Sequence, residues 1–155
     1  MKLQSGQYAF ILMLIGGLGI APACYADTVS DKTSINDIKQ ETRELIESLQ
    51  AYSVEGRDEA IHKAKAALDR MDQRIDALQL RVDNNWDKMD KAAREKARAS
   101  LKALREQRTR VAEWYGSLKS SSADAWGRAK DGFSAAYMAF HDAWEKSEEA
   151  SRSEK

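Results

Sequence analysis

Residues 82–97 read VDNNWDKMDKAAREKA. A pair of asparagines and a tryptophan interrupt a run spaced for a helix, and the fold turns on whether the chain passes straight through them. Upstream, Ile61, Ala64, Leu68, Met71, Ile75, Leu78, Val82, Asn85 and Met89 alternate in steps of three and four, which places them on one helical face. Downstream, Ala97, Leu101, Leu104, Arg108, Val111, Tyr115 and Leu118 do the same in a shifted phase. Neither Gly nor Pro occurs from Arg57 to Tyr115. Because the heptad crosses Asn85 without a gap, the pattern predicts a continuous helix over residues 57–118, roughly 90 Å long at about 1.5 Å per residue. The slip between Met89 and Ala97 then moves the apolar seam around that helix. The alternative is a break at Asn84-Asn85, with Asn85 as an N-cap, and a compact four-helix bundle.

Shorter helices flank this segment. Thr33 or Ser34 can cap a helix over about 33–52, with Ile35, Ile38, Leu45, Ile46, Leu49 and Tyr52 on its apolar face. Ser53-Val54-Glu55-Gly56 breaks it. Ser121-Ser122-Ala123-Asp124 fits a capping box with Asp in place of Glu and opens a helix over about 121–150. The seam of that helix is Trp126, Lys130, Phe133, Tyr137, Phe140 and Trp144, and its polar tail SEEASRSEK is expected to fray.

The expected fold is all-α, with antiparallel coiled-coil hairpins sharing one long central helix. In the last hairpin Trp126 faces Tyr115, Lys130 faces Val111, Tyr137 faces Leu104, Phe140 faces Leu101, and large Trp144 faces small Ala97. Phe133 receives the Arg108 guanidinium on its ring. In the first hairpin Leu49 faces Ile61, Leu45 faces Ala64, Thr42 faces Leu68, Ile38 faces Met71 and Ile35 faces Ile75; a one-turn shift also satisfies the heptads. The composition agrees: 155 residues, 43% hydrophobic and 32% charged, with a single Pro, favour long helices with narrow seams.

Residues 1–26, MKLQSGQYAFILMLIGGLGIAPACYA, carry Lys2 as their only charge, then an apolar run from Tyr8 to Ile20, then small residues. This is the layout of a cleaved secretory signal, with residues 27–155 as a single helical domain exported to the periplasm. A lipoprotein anchored through Cys24 is the alternative, although Ala21 stands where lipidation sites usually have Leu. A retained anchor is the third reading, and the run is short of the roughly 20 apolar residues that span a bilayer. The whole chain balances 25 basic against 25 acidic residues, so loss of Lys2 leaves 24 against 25. No basic stripe recommends nucleic acid as a partner.

No catalytic, cofactor or metal constellation is legible. His62 and His141 lie in different helices without a ligand cluster and are expected to be exposed. The Asp69 to Asp90 acidic series is interleaved with Arg and Lys and reads as a solvated face, with Asp90–Arg94 as an i,i+4 pair. The aromatic stripe from Trp126 to Trp144 reads first as hairpin core with Leu101, Leu104, Val111 and Tyr115. As a membrane-surface helix it has too few unbalanced cations for more than weak lipid binding; a ligand groove is the third reading. The folded-back helices leave Val82, Trp86 and Met89 uncovered, so these three form the candidate interface for a homodimer or another protein.

The segment LKALREQRTRVAEWYGSLKSSSADAWGRAKDGFSAAYMAFHDAW, residues 101–144, resembles small bacterial coiled-coil proteins of the cyanobacterial stress-induced, apolipoprotein-like type. The resemblance rests on the Leu-x-x-Leu-Arg start, the serine-rich turn, Asp-Ala-Trp, a Gly and the aromatic repeats. It implies a helical protein with a stress-linked or membrane-adjacent role and no catalytic residues, whereas the export signal departs from the family. The expected function is thus a non-enzymatic exported coiled-coil protein with an envelope stress, adaptor or scaffold role through helix–helix binding. The alternative is an apolipoprotein-like protein that binds a lipid surface through its amphipathic aromatic helix.

Overall fold

The structure, a computed structural model, describes residues 35–152, with side chains from residue 37 to residue 149. The expectations for the signal, for Cys24, for capping by Thr33 or Ser34 and for the Ile35 side chain lie outside the described residues. The fold is all-α as expected, with helices α1 (Ile35–Ala51), α2 (Arg57–Asn85), α3 (Lys91–Ser120) and α4 (Trp126–Arg152). A short 3₁₀ turn, Trp86–Lys88, follows α2.

The continuous central helix is therefore corrected: the chain turns between Asn85 and Lys91. Asn85 leaves the helical region with φ −106° and ψ 0°, and its side chain donates to the Arg81 carbonyl at 2.8 Å. Met89 is extended at φ −82° and ψ 138°. Asp90 then caps α3, accepting the Ala93 N–H at 2.8 Å. The cap satisfies an otherwise orphaned amide, so Asp90 is a helix start and not a member of a solvated ion-pair row. The bundle alternative had placed its N-cap at Asn85, which makes no side-chain cap. The phase slip between Met89 and Ala97 marks this turn.

Folding α3 back along α2 builds a four-helix bundle in which each helix packs on its chain neighbours and α4 closes against α1. Glu41 pairs with Arg70 and Arg74 between α1 and α2. Asp72 takes Arg108 in a two-pronged bond of 2.7 and 2.6 Å between α2 and α3. Lys39 meets Glu145 at 2.7 Å and Gln50 meets Asp131 at 3.0 Å between α1 and α4. The positions run in opposite directions between α1 and α4, as they do between α1 and α2 with Lys63 on Ser48 and between α2 and α3 with Arg105 on Gln79, so these neighbours are antiparallel, which is the geometry that short loops impose.

The core joins all four helices. Leu49, Met71, Leu104, Val111, Leu118, Phe133 and Tyr137 are completely covered. Of the expected hairpin core, Trp126, Phe133, Tyr137, Phe140, Trp144, Leu101, Leu104 and Val111 are buried, while Tyr115 is half-buried with Lys119 over its ring at 4.7 Å. α4 faces both α3 and α1, so it buries Ala129, Ser134, Ala136, His141 and Ser147 besides its seam. Exposure of His62 is as expected; His141 is corrected to buried, because a helix with two packed neighbours has a wider covered face than a hairpin strip.

Two further details differ. Arg108 does not lie on Phe133; Asp72 takes its guanidinium, because a paired carboxylate outcompetes a ring face. α4 starts at Trp126 and not at Ser121, since the serines close α3 instead: Ser117, Ser120 and Ser121 hydroxyls donate to the Glu113, Gly116 and Leu118 carbonyls. Turn bonds from Ala125 to Ser122 and from Trp126 to Ala123 complete the link. α4 runs to Arg152, and the last residues of the polar tail lie outside the described residues.

Candidate contact groove between α2 and α3

Trp86 sits where α2 ends, and the turn that follows decides what covers it. In a straight helix Arg98 would lie about 18 Å along the axis from Trp86. With the chain reversed, the Arg98 guanidinium lies 4.5 Å and the Arg94 guanidinium 5.2 Å from the Trp86 ring centre. Arg94 also donates from Nε to the Trp86 carbonyl at 3.0 Å. Such contacts hold a large ring half-open to solvent at the mouth of a groove.

The three candidate interface residues separate. Val82 is buried, Trp86 is half-buried and packs against the core, and Met89 is half-buried in the turn. The uncovered apolar patch expected on a lone helix is thus corrected, because α3 now covers much of it. In its place is a groove of about 700 Å³ that is open to solvent. Val82, Trp86 and Leu101 form its apolar part. Asp83 and Asp87 stand on the α2 side, and Arg98 and Lys102 on the α3 side. Arg105 spans one end by donating to Gln79 Oε1 at 2.8 Å, and Gln79 in turn donates to Asp83 at 2.7 Å.

Sequence reasoning singled out Trp86 but missed Arg98 and Lys102, and it placed Leu101 in the last hairpin and Arg94 in a pair with Asp90, because no helical spacing relates residue 86 to residue 98. The available signals were the phase slip and Asp90 at a helix-start position. Both mark a reversal that brings the two segments together.

Elsewhere, His141, Asp142 and Glu145 bring one ligand atom each to within 4.8 Å of one another. These could hold a divalent cation, but Lys39 Nζ already occupies Glu145 Oε1 at 2.7 Å. Between α1 and α2, Lys63 Nζ donates to Ser48 Oγ at 2.9 Å in a second open pocket. No helix of the described residues is long and apolar enough to cross a membrane. The chain matches no protein-family model, no curated protein and no solved structure.

Proposed function

We propose that this chain is an exported, non-enzymatic helical-bundle protein that works by binding, with an adaptor or envelope-stress role and the α2–α3 groove as its contact surface. The observation that carries the reading is the groove itself: an open channel with an aromatic ring in it and opposite charges on its two sides. An amphipathic helix laid into such a channel finds apolar contact along its seam and polar contact at both rims. Export rests on the apolar, lysine-led start of the sequence, and the stress role on the resemblance of residues 101–144.

A photo-crosslinking residue at Leu80, which is 62% exposed beside the groove, tests this in the living cell. Met138 on α4, 52% exposed, is the control position. Protein adducts from position 80 and none from position 138 are expected. Adducts from position 138 alone, or none from either, would overturn the reading. A lipid-binding role through α4 requires the bundle to open, since Trp126, Phe133, Tyr137, Phe140 and Trp144 are buried. Flotation with anionic vesicles at low salt separates the two: the closed bundle stays unbound with unshifted tryptophan emission, whereas flotation with a blue shift supports opening.

A further inference from the structure

Resting on the groove reading above, we infer that the groove takes a second copy of this chain, related by a two-fold axis that runs along the groove. Its charges are segregated by helix. Asp83 on α2 and Asp87 in the 3₁₀ turn that follows it face Arg98 and Lys102 on α3, and all four are exposed. Among the described residues no ion pair joins the two sides: Asp83 accepts from Gln79 on its own helix, and Lys102 reaches Glu106 on its own helix at 3.9 Å. Trp86 and Leu101 line the channel with them. Arg98 lies on the Trp86 ring, so none of the four is paired across the groove, and each exposed charge can take an opposite charge from a second copy.

An isologous interface needs a patch that complements itself, and this one does so in one orientation. The Gln79–Arg105 bond sets the antiparallel register of α2 and α3. In that register Asp83 is level with Lys102, and the Arg98 contact on the Trp86 ring puts Arg98 at the height of the turn that carries Asp87. Rotation about an axis along the groove carries the acidic side of one copy onto the basic side of the other at the same height. Asp83 then meets the second copy's Lys102, Asp87 meets its Arg98, and the two Trp86 rings approach the axis. Rotation about the perpendicular in-plane axis brings acid against acid and is disfavoured. Exposed Leu80, three residues before Asp83 on α2, adds apolar area at the rim.

Sedimentation equilibrium over a range of concentration and salt tests the inference. The wild-type protein is expected to have a dimer mass that shifts toward monomer as salt screens the pairs. Asp83→Lys with Asp87→Lys, and separately Arg98→Glu with Lys102→Glu, are each expected to be monomeric with unchanged helical circular dichroism. An equimolar mixture of the two variants is expected to regain the dimer mass, because an all-basic groove then meets an all-acidic one. That recovery cannot come from a variant that merely fails to fold. A monomeric wild type at every concentration, a dimer indifferent to both charge reversals, or a mixture that stays monomeric overturns the inference. A monomer that still gives adducts to another protein from position 80 removes the second copy but keeps the groove reading; no adducts removes both.

Discussion

Lys130 Nζ donates to the carbonyl of Tyr52 at 2.8 Å and to that of Gln50 at 3.0 Å, so a cation on α4 closes the end of α1. α1 carries no basic residue in its last turn, and the charge its C-terminus favours comes from across the bundle. Trp126 Nε1 donates to the same Tyr52 carbonyl at 3.1 Å. Arg57 lies 5.4 Å from the Trp126 ring centre and donates to the Ser121 carbonyl at 2.6 Å. These bonds stitch the α1–α2 turn to the α3–α4 turn at the bundle end remote from the groove.

Lys130→Met keeps the apolar stem but removes the donor from two carbonyls. It is expected to lower stability by about 1–3 kcal/mol, the contribution of hydrogen bonds from a charged donor, although Trp126 Nε1 still serves the Tyr52 carbonyl. Urea denaturation reads this as a lower midpoint with an unchanged slope. An unchanged midpoint would show that the contact is incidental.

The glycines of α3 and α4 are expected to respond with opposite signs. A Cβ at Gly132 would lie 2.4 Å from the Trp114 ring, whereas one at Gly116 meets nothing within 4 Å. Gly132→Ala should therefore displace Trp114 and cost about 1–3 kcal/mol. Gly116→Ala should add about 0.5–1 kcal/mol by stiffening the unfolded chain and favouring helix. Thermal melts of both variants check the pair, and a Gly132→Ala protein as stable as wild type would contradict the close packing of Trp114 on α4.

Glu145 reports on α1 docking. The hydrogen bond from Lys39 is the largest influence on its carboxyl and holds it below the ordinary carboxylate range, against a smaller opposing effect of burial. A carboxyl depressed in the folded state adds stability above its unfolded pKa and loses it as pH falls through the folded value. Titration of the Glu145 side-chain carbonyl carbon by NMR should give a low midpoint in the wild type and a higher one in Lys39→Met. Equal midpoints would mean that α1 and α4 do not meet as described.

The all-α class and the buried seam of α4 were legible in the sequence, because apolar spacing reports which faces are covered. The partner of each face was not. Arg108 fits a seam position whether its guanidinium goes to Phe133 or to Asp72, and only the bundle brings Asp72 near. His141 falls off the α4 seam, so its burial depends on α1, which a hairpin reading places elsewhere. The turn at 86–90 was the most consequential miss. Asp90 suits an N-cap better than a helix interior, but apolar spacing that runs on through Asn85 masks the loss of phase that follows.

The groove exists only if the chain reverses there, so the distance between residues 62 and 119 is the decisive measurement. His62 and Lys119 are exposed near the far ends of α2 and α3, and Arg57 of α2 bonds to Ser121 close by. With spin labels at His62→Cys and Lys119→Cys in a Cys24→Ser background, diluted with unlabelled protein, dipolar spectroscopy should give a separation of neighbouring helices, about 10–20 Å including the label arms. A straight helix through Trp86 would instead place the labels about 85 Å apart at about 1.5 Å per residue, and that result would remove the bundle, the groove and the proposals built on it.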